Sequence, residues 1–328
     1  MHGLLAVLCA IAMCTAGGAL AAKGGKGGGG GGGGNGGGKG GGKDKGGGGD
    51  GGGTDTALYL EGAGDSIMRG YNASCTRNTG LFDFLCYGGG DQPENSFLDG
   101  SSSSVVSVRD WNLTITPTVQ SHQAAVSGSE MVDPAKTNFA YQAEAIVASA
   151  TTAARVFVEL GGNDICNRAT VEDLYSDSDW EQAVDAGLEI LTDGLPDGST
   201  VIVVSVPRVQ DLRAAGIALE NSSSRVDCQA FWSSFDVCPI ATADDSATAA
   251  IDERQQRYNE ILQARAEHFN SLALSGATQV EVVTDYQGES AGSIGTYSFQ
   301  AQDLNGGDCF HPSIQGHNTI AEMLWDIN

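Results

Sequence analysis

Residues 57–66 read Ala57-Leu58-Tyr59-Leu60-Glu61-Gly62-Ala63-Gly64-Asp65-Ser66, a short apolar run that passes into glycines and a polar turn. Short apolar runs bounded by turn residues are typical of buried β-strands, so we predict a strand over residues 57–61. Gly-Asp-Ser is an ordinary turn sequence, but here it follows a strand directly. In open α/β sheets, ligands bind at the carboxyl ends of the strands. Ser66 is therefore a candidate functional residue.

The same alternation of short apolar runs and longer helical patterns continues along the chain. The other predicted strands cover residues 119–125, 155–160, 200–206 and 279–283. The predicted helices cover residues 138–149, 180–191, 248–272 and 313–326. Strands that alternate with helices indicate a parallel sheet covered on both faces, which is an α/β fold.

Two further motifs follow predicted strands. Gly128 follows the second strand, and Gly161-Gly162-Asn163-Asp164 follows the third. Taken alone, each is better explained by a loop glycine or a helix cap. Because the carboxyl ends of parallel strands meet at one edge of a sheet, we expect Ser66, Gly128 and Asn163 to converge there.

A carboxylate and an imidazole lie three residues apart in Asp308-Cys309-Phe310-His311-Pro312-Ser313. On a helical turn, side chains at i and i+3 share a face, so Asp308 can hold one ring nitrogen of His311 and leave the other free as a base. Serine is a weak nucleophile and needs such a base within hydrogen-bond distance. Alone, the pair is more often a cap or a solvated pair; together with Ser66 it indicates nucleophilic catalysis.

Attack by a serine on a carbonyl group creates an oxyanion that hydrogen-bond donors must stabilise. The candidate donors are the backbone N–H groups of Ser66 and Gly128 and the side-chain amide of Asn163. Glycine suits this role because it lets a substrate approach the backbone closely.

Three other histidines compete for the role of base. We expect a core or packing role for His122, a solvated position for His268, and a capping or packing role in the last helix for His317. No pair of His or Cys has metal-ligand spacing within a compact motif, so we expect no metal site.

Four blocks of the chain resemble the SGNH or GDSL hydrolases. They are Gly64-Asp65-Ser66, Ala124-Ala125-Val126-Ser127-Gly128, Gly161-Gly162-Asn163-Asp164 and the segment from Asp308 to His311. The resemblance implies a flavodoxin-like three-layer α/β/α sandwich with a sheet of about five strands. It also implies hydrolysis of acyl esters without a cofactor, with Ser66 as nucleophile, His311 as base, Asp308 as its orienting partner, and an oxyanion hole of Ser66, Gly128 and Asn163.

The longer forms of two blocks, Gly161 to Cys166 and Asp308 to Ser313, look like the phospholipase B-like branch of that family. So does Gly90-Asp91-Gln92-Pro93-Glu94-Asn95. This similarity favours a lipid or phospholipid ester as substrate. A carbohydrate esterase that removes acetyl groups is one alternative, and a non-catalytic binding protein displayed on a tether is another.

The N-terminal part of the chain does not have the composition of a folded domain. Residues 1–21 resemble a secretory signal peptide, with an apolar run too short to span a bilayer and a small-residue cleavage site. Residues 22–53 are mostly glycine and predict a flexible tether, which leaves residues 54–328 as the hydrolase domain. We therefore expect a secreted, periplasmic or surface-tethered protein without a stable membrane insertion.

The formal net charge is -24, and five of the six lysines precede residue 54. An acidic domain repels nucleic acid and anionic membranes. We therefore expect neither nucleic acid nor an anionic membrane as a partner. The expected partner is a lipid or small-molecule ester substrate, and the expected oligomeric state is a monomer.

Six cysteines follow the predicted signal peptide, and an even number in an exported protein indicates disulfides. Many pairings are possible. The short-range closures Cys75–Cys86 and Cys228–Cys238 are the simplest, which leaves Cys166–Cys309. Asn72, Asn112 and Asn221 lie in Asn-x-Ser/Thr sequons.

Overall fold

A parallel sheet of five strands lies at the centre of the computed structural model, which describes residues 57–79, 89–325 and 327. The strands are β1 (Leu58–Gly64), β2 (Val119–Gln123), β3 (Ala154–Glu159), β4 (Thr200–Val203) and β5 (Glu281–Thr284). Their order is β2-β1-β3-β4-β5, and every neighbouring pair is parallel. This is the flavodoxin-like order of a doubly wound sheet. The predicted α/β fold is confirmed, and each predicted strand is present with shifted ends.

The helices of the described residues are α1 (Val108–Leu113), α2 (Phe139–Ser149), α3 (Gly162–Cys166), α4 (Asp177–Gly194), α5 (Leu212–Ser222), α6 (Cys228–Phe235), α7 (Pro239–Thr242), α8 (Thr248–Leu274) and α9 (Ile314–Trp325). The four predicted helices correspond to α2, α4, α8 and α9. Four of the others have 4 to 8 residues, too few for a clear helical period, and α5, with 11 residues, was also missed.

Strand β3 shows how the sheet comes to be covered on both faces. Successive side chains of a strand point to opposite faces. Val156 and Val158 pack in a core cluster with apolar residues of α2, α4 and α8. Phe157 lies between them in sequence and packs in a second cluster with residues of α1 and α9. The protein is therefore a three-layer α/β/α sandwich.

Helices α2 and α4 approach each other closely at a glycine. A Cβ atom added to Gly187 of α4 would lie 2.1 Å from the ring of Phe139 in α2. Only glycine permits this approach without a shift of the helices. The contact packs α2 against α4, and α2 carries a side chain that reaches the end of β1.

In the part of the chain that the structure describes, no helix has both the length and the apolar character needed to cross a bilayer. The predicted signal peptide (1–21), the predicted tether (22–53) and Cys86 lie outside the described residues. The predicted Cys75–Cys86 bridge is thus an untested prediction.

The other two predicted disulfides are wrong. The structure contains Cys166–Cys238 and Cys228–Cys309, with Cα–Cα distances of 4.2 and 5.6 Å. Helix α6 works against a Cys228–Cys238 bridge, because the three residues after it would have to fold back along a helix about 12 Å long to bring the Cα atoms within about 7 Å. Nearness in sequence was misleading because a rigid element separates the two cysteines.

Cys309 instead meets Cys228 through side-chain packing. Both sulfurs are buried in a small apolar cluster with Val226 and Trp232. The cluster places the first turn of α6 against the segment that carries Asp308 and His311. The Cys166–Cys238 bridge attaches the start of α7 to the last residue of α3.

Candidate active site

Ser66 lies just beyond the carboxyl end of β1, in a series of tight turns. The backbone N–H of Tyr71 donates to the carbonyl oxygen of Ser66 at 3.0 Å, and the N–H of Arg69 donates to that of Asp65 at 3.1 Å. Ser66 is buried, with 6% of its surface exposed. In the sheet register, Gly64 pairs with Glu159 of β3, so the turn after β3 lies beside Ser66.

The structure brings Ser66, His311 and Asp308 together. The Nε2 atom of His311 lies 2.7 Å from the Oγ atom of Ser66, and its Nδ1 atom lies 2.9 Å from Oδ2 of Asp308. Residues 308–311 do not form the expected helical turn. They form an irregular turn in which Oδ1 of Asp308 accepts hydrogen bonds from the backbone N–H groups of Phe310 and His311, each at 2.9 Å.

Two asparagines that sequence reasoning missed also bind the carboxylate of Asp308. Asn72 donates to Oδ2 at 2.8 Å, and Asn305 donates to Oδ1 at 2.9 Å. Burial acts to raise the pKa of Asp308, but the charge of His311 and hydrogen bonds from His311 and Asn72 outweigh it, so this pKa lies below its usual value. Asp308 is therefore held as an anion beside His311. The only sequence signal at Asn72 was its sequon.

Two aromatic rings flank the imidazole of His311. The ring of Tyr71 lies 4.7 Å from it between centroids, and that of Phe310 lies at the same distance, edge-on. These contacts restrict rotation of the imidazole and keep Nε2 directed at Ser66.

The backbone N–H groups of Ser66 and Gly128 have no hydrogen-bond partner within the described residues. Gly128 has a φ of +86°, in the left-handed region that favours glycine, and open space lies where its Cβ would be. Both residues border one cavity. These two N–H groups are free to donate hydrogen bonds to an oxyanion.

Asn163, in the first turn of α3, is already engaged. Its amide donates to Oδ2 of Asp65 at 3.0 Å and to the carbonyl oxygen of Ser129 at 2.9 Å. An oxyanion at this position would share one of these N–H groups. The preceding Gly161 has a φ of +120°, and a Cβ there would lie 2.6 Å from Val206, so only glycine fits the turn that presents Asn163.

Two buried carboxyl groups, those of Asp65 and Glu159, lie at the ends of β1 and β3 next to Ser66. Burial raises the pKa of Asp65, although the N–H of Ile67 and the charge of His311 act against it. Burial, and then the charge of Asp65, raise the pKa of Glu159 well above its usual value. Two adjacent buried acids cannot both ionise easily, so this pair holds a proton that one carboxylate alone would release. Glu159 was not recognised from the sequence.

Gln142 of α2 fixes the strand end that carries the serine. Its Oε1 accepts from the N–H of Gly64 at 2.7 Å, and its Nε2 donates to the carbonyl of Gly64 at 3.0 Å. Gln142 is fully buried. No motif in the sequence pointed to it, because the contact joins residues that are 78 positions apart.

Asp91 connects the serine turn to the glycine loop. Its carboxylate accepts hydrogen bonds from Arg69, at 2.9 Å, and from the hydroxyl of Ser127. Ser127 precedes Gly128, so Asp91 helps to position that backbone N–H group. This contact gives a structural role to the Gly90–Asn95 block.

The other histidines lie elsewhere. Nδ1 of His122 pairs with Glu61 at 2.8 Å on the edge of the sheet, and His268 lies on the exposed surface of α8. His317 is fully buried in α9 and stacks on Phe97. Burial, and then the charge of His311, lower the pKa of His317 to about 3, so it stays neutral.

Two cavities meet at Ser66. A narrow one of about 40 Å³ runs between apolar side chains that include Ile67, Val209, Leu212 and Phe299. A wide one of about 510 Å³ is bordered by His311, Gly128 and several polar side chains. Among the described residues, no group of three or more His, Cys, Asp or Glu is arranged to hold a metal ion.

The fold and this arrangement of residues agree with the comparison to known families. A family model described as GDSL-like lipase/acylhydrolase matches residues 61–324. The protein therefore belongs to the GDSL-like lipase/acylhydrolase family. Family membership assigns it to the ester hydrolases.

A search of curated protein sequences finds no match. Among solved structures, an active-site mutant of a family two carbohydrate esterase from Clostridium thermocellum is similar, with 14% identity and a TM-score of 0.43 over 82% of this chain and 62% of that one. This chain thus spans less than two thirds of that esterase. A protein from Lactobacillus plantarum shows 16% identity and a TM-score of 0.43 over 83% and 96% of the two chains.

Proposed function

We propose that the protein hydrolyses carboxylic esters through an acyl-enzyme formed on Ser66, with His311 as general base and Asp308 as its orienting partner. One observation carries the proposal. His311 lies within hydrogen-bond distance of the Ser66 hydroxyl on one side, at 2.7 Å, and of the Asp308 carboxylate on the other, at 2.9 Å.

Acylation begins when Nε2 of His311 takes the hydroxyl proton of Ser66 as Oγ attacks the carbonyl carbon of the ester. The resulting imidazolium is stabilised by Asp308, which remains ionised because its folded-state pKa is low. When the tetrahedral intermediate collapses, the bond to the alcohol breaks and the alcohol oxygen takes the proton from Nε2. The acyl group stays on Oγ.

Deacylation repeats these steps with water. His311 takes a proton from the water molecule, the hydroxide attacks the acyl carbon, and Ser66 leaves as its alkoxide and regains the proton. The two steps consume one ester and one water molecule and return Ser66 and His311 to their starting states.

The oxyanion of each tetrahedral intermediate is bound by the backbone N–H groups of Ser66 and Gly128. Asn163 is the third donor and shares an N–H group that otherwise serves Asp65 or Ser129. One such donor typically contributes a factor of about 10² to 10³ in kcat.

Secretion is part of the proposal. Two disulfides support it, because disulfides persist in oxidising compartments. Action as a monomer is also part of the proposal.

Two substrate classes are proposed. The phospholipase B-like sequence blocks support a lipid or phospholipid ester. The wide, polar cavity beside His311 supports the second class, an ester of a carbohydrate.

Labelling with a fluorophosphonate probe tests the mechanism. The wild type is expected to be labelled and Ser66→Ala is not. Ser74→Ala is the matched control, because Ser74 is an exposed serine in the same series of turns, and it is expected to be labelled normally. Label retained in Ser66→Ala would overturn the nucleophile assignment. A folded wild type that neither takes the label nor cleaves any ester would show a non-catalytic binding protein instead.

A further inference from the structure

We propose that the narrow cavity binds the acyl group and the wide cavity binds the alcohol, so that the substrate is a short-chain acyl ester of a bulky, neutral, polyhydroxylated alcohol. This inference rests on the proposed function of Ser66 and His311. It assigns each cavity to one side of the ester bond that they cleave.

The position of His311 fixes the orientation of the ester. The leaving alcohol must receive its proton from Nε2 of His311, so it has to lie on the side of Ser66 where that ring lies. His311 borders the wide cavity and is not among the described residues that line the narrow one. The alcohol therefore leaves into the wide cavity. The acyl group, which stays on Ser66, extends into the narrow cavity.

The size of the narrow cavity limits the acyl chain. Its volume is about 40 Å³. One water-sized sphere occupies about 10–15 Å³, so the space corresponds to about three such spheres and fits an acyl group of about two to four carbons. The walls come from buried apolar side chains, including Val209, Leu212 and Leu304, that are 5%, 8% and 4% exposed. Close-packed walls of this kind yield little to a longer chain.

The wide cavity has the opposite character. Its volume of about 510 Å³ is more than ten times that of the narrow cavity. Polar side chains line it, among them Ser127, Asn167 and Asp236, together with the aromatic rings of Tyr71 and Phe231. Hydroxyl, amide and carboxylate groups bind sugar hydroxyls, and aromatic faces pack on the apolar faces of sugar rings.

Charge separates a sugar from a phospholipid headgroup. The described residues that line the wide cavity include two aspartates, Asp236 and Asp308, and no Lys or Arg. Phosphate is normally recognised by Arg, Lys or clustered backbone N–H groups. A phosphate in this cavity would face carboxylates without a cation, so the cavity favours a neutral alcohol.

The acyl half of the inference is tested with p-nitrophenyl esters of increasing chain length. The wild type is expected to have its highest kcat/KM between acetate and butyrate, and to lose at least about tenfold by octanoate. Phe299→Ala removes a wall of the narrow cavity and is expected to move the optimum to longer chains. Val209→Phe fills that cavity and is expected to retain acetate and lose butyrate.

Phe235→Ala is the matched control, because it is the same substitution on the wall of the wide cavity. It should leave the chain-length optimum in place and raise the KM for an acetylated oligosaccharide. A wild-type optimum at octanoate or beyond would overturn the acyl assignment. So would an unchanged optimum in both Phe299→Ala and Val209→Phe.

The alcohol half is tested by comparing an acetylated oligosaccharide with phosphatidylcholine vesicles at equal ester concentration. Faster release of acid from the oligosaccharide is expected, and faster release from the vesicles would overturn the inference. If Ser66 takes the fluorophosphonate label but the preferences are reversed, only this inference fails. If Ser66 takes no label and no ester is cleaved, the proposed function fails.

Discussion

The side-chain amide of Asn72 donates to Oδ2 of Asp308 at 2.8 Å, across 236 positions of sequence. Asn72 is buried and holds a φ of +55°, in the left-handed region that costs an ordinary residue about 1–2 kcal/mol. The same carboxylate oxygen accepts from His311 at 2.9 Å. Asn72 is thus a positioning residue that fixes Asp308 while Asp308 fixes the base.

Replacement of Asn72 by glycine tests this role without backbone strain, because glycine accepts the same φ. We expect kcat to fall about tenfold, which corresponds to about 1.4 kcal/mol, with little change in KM. Asn72→Asp places a second buried carboxyl group beside Asp308, and such a pair holds a proton that can still be donated to Asp308. The kcat–pH profile should therefore change on its alkaline side, where the pair loses that proton. A normal kcat in Asn72→Gly, or an unmoved profile in Asn72→Asp, would contradict the assignment.

Gln142 is expected to matter for both stability and activity. In Gln142→Leu the N–H of Gly64 is left buried without an acceptor, whereas its carbonyl keeps a donor in the N–H of Val126. One unpaired buried donor costs about 1–3 kcal/mol in the free energy of unfolding, which urea denaturation measures. We also expect a lower kcat, because Gly64 is two residues from Ser66.

Gln142→Glu is the matched variant, since it keeps the size of the side chain. When protonated, it can accept from the N–H of Gly64 and donate to the carbonyl. Stability should recover toward wild type as pH falls. If Gln142→Leu unfolds at the wild-type urea concentration, the pairing with Gly64 has no energetic role.

The two disulfides are expected to differ in their effect on activity. They close segments of 81 and 72 residues, so chain entropy predicts a similar loss of about 4 kcal/mol when either is removed. Only Cys309 lies between Asp308 and His311, with a φ of +55°. The double substitution of Cys228 and Cys309 by alanine should therefore lower both Tm and kcat.

The double substitution of Cys166 and Cys238 by alanine is the control for that experiment. It should lower Tm by a similar amount and kcat much less. Thermal denaturation and ester hydrolysis below both Tm values provide the comparison. Equal losses of kcat in the two variants would show that the Cys228–Cys309 bridge has no special effect on the base.

A pH dependence of stability is expected from Asp164. Burial raises its pKa from 3.8 to about 7, against hydrogen bonds from the backbone N–H groups of Met131 and Val132. The folded protein then keeps a proton that the unfolded chain releases above about pH 4, so this group reduces stability as pH rises from about 4 to about 7.

In Asp164→Asn this contribution disappears, and the slope of unfolding free energy against pH should become less negative by up to about 1.4 kcal/mol per pH unit. Urea denaturation at several pH values in that window measures it. Asp244→Asn is the control, because Asp244 is exposed and its pKa is lowered by hydrogen bonds involving Ser246. An unchanged slope in Asp164→Asn would show that Asp164 does not bind the extra proton.

The sequence predicted the strands of the sheet, helices α2, α4, α8 and α9, and the residues that meet at Ser66. It could do so because apolar periodicity and motifs such as Gly-Asp-Ser are properties of consecutive residues. The positions of strand ends then follow from the rule that parallel strands end at one edge. Asn72, Gln142 and Glu159 escaped notice because each acts through a contact with a distant segment.

The sequence by itself determined the α/β class, the family and the chemical types of residue available at the strand ends. Only the tertiary structure decided that Cys228 pairs with Cys309, that Asn163 already donates to Asp65 and Ser129, and that two cavities of unequal size meet at Ser66. The reason is physical. Local patterns depend on neighbouring residues, whereas cavities, disulfide pairings and hydrogen bonds between distant segments depend on how whole helices pack. Helix α6, for example, lies between two cysteines that are close in sequence and that pair with other partners.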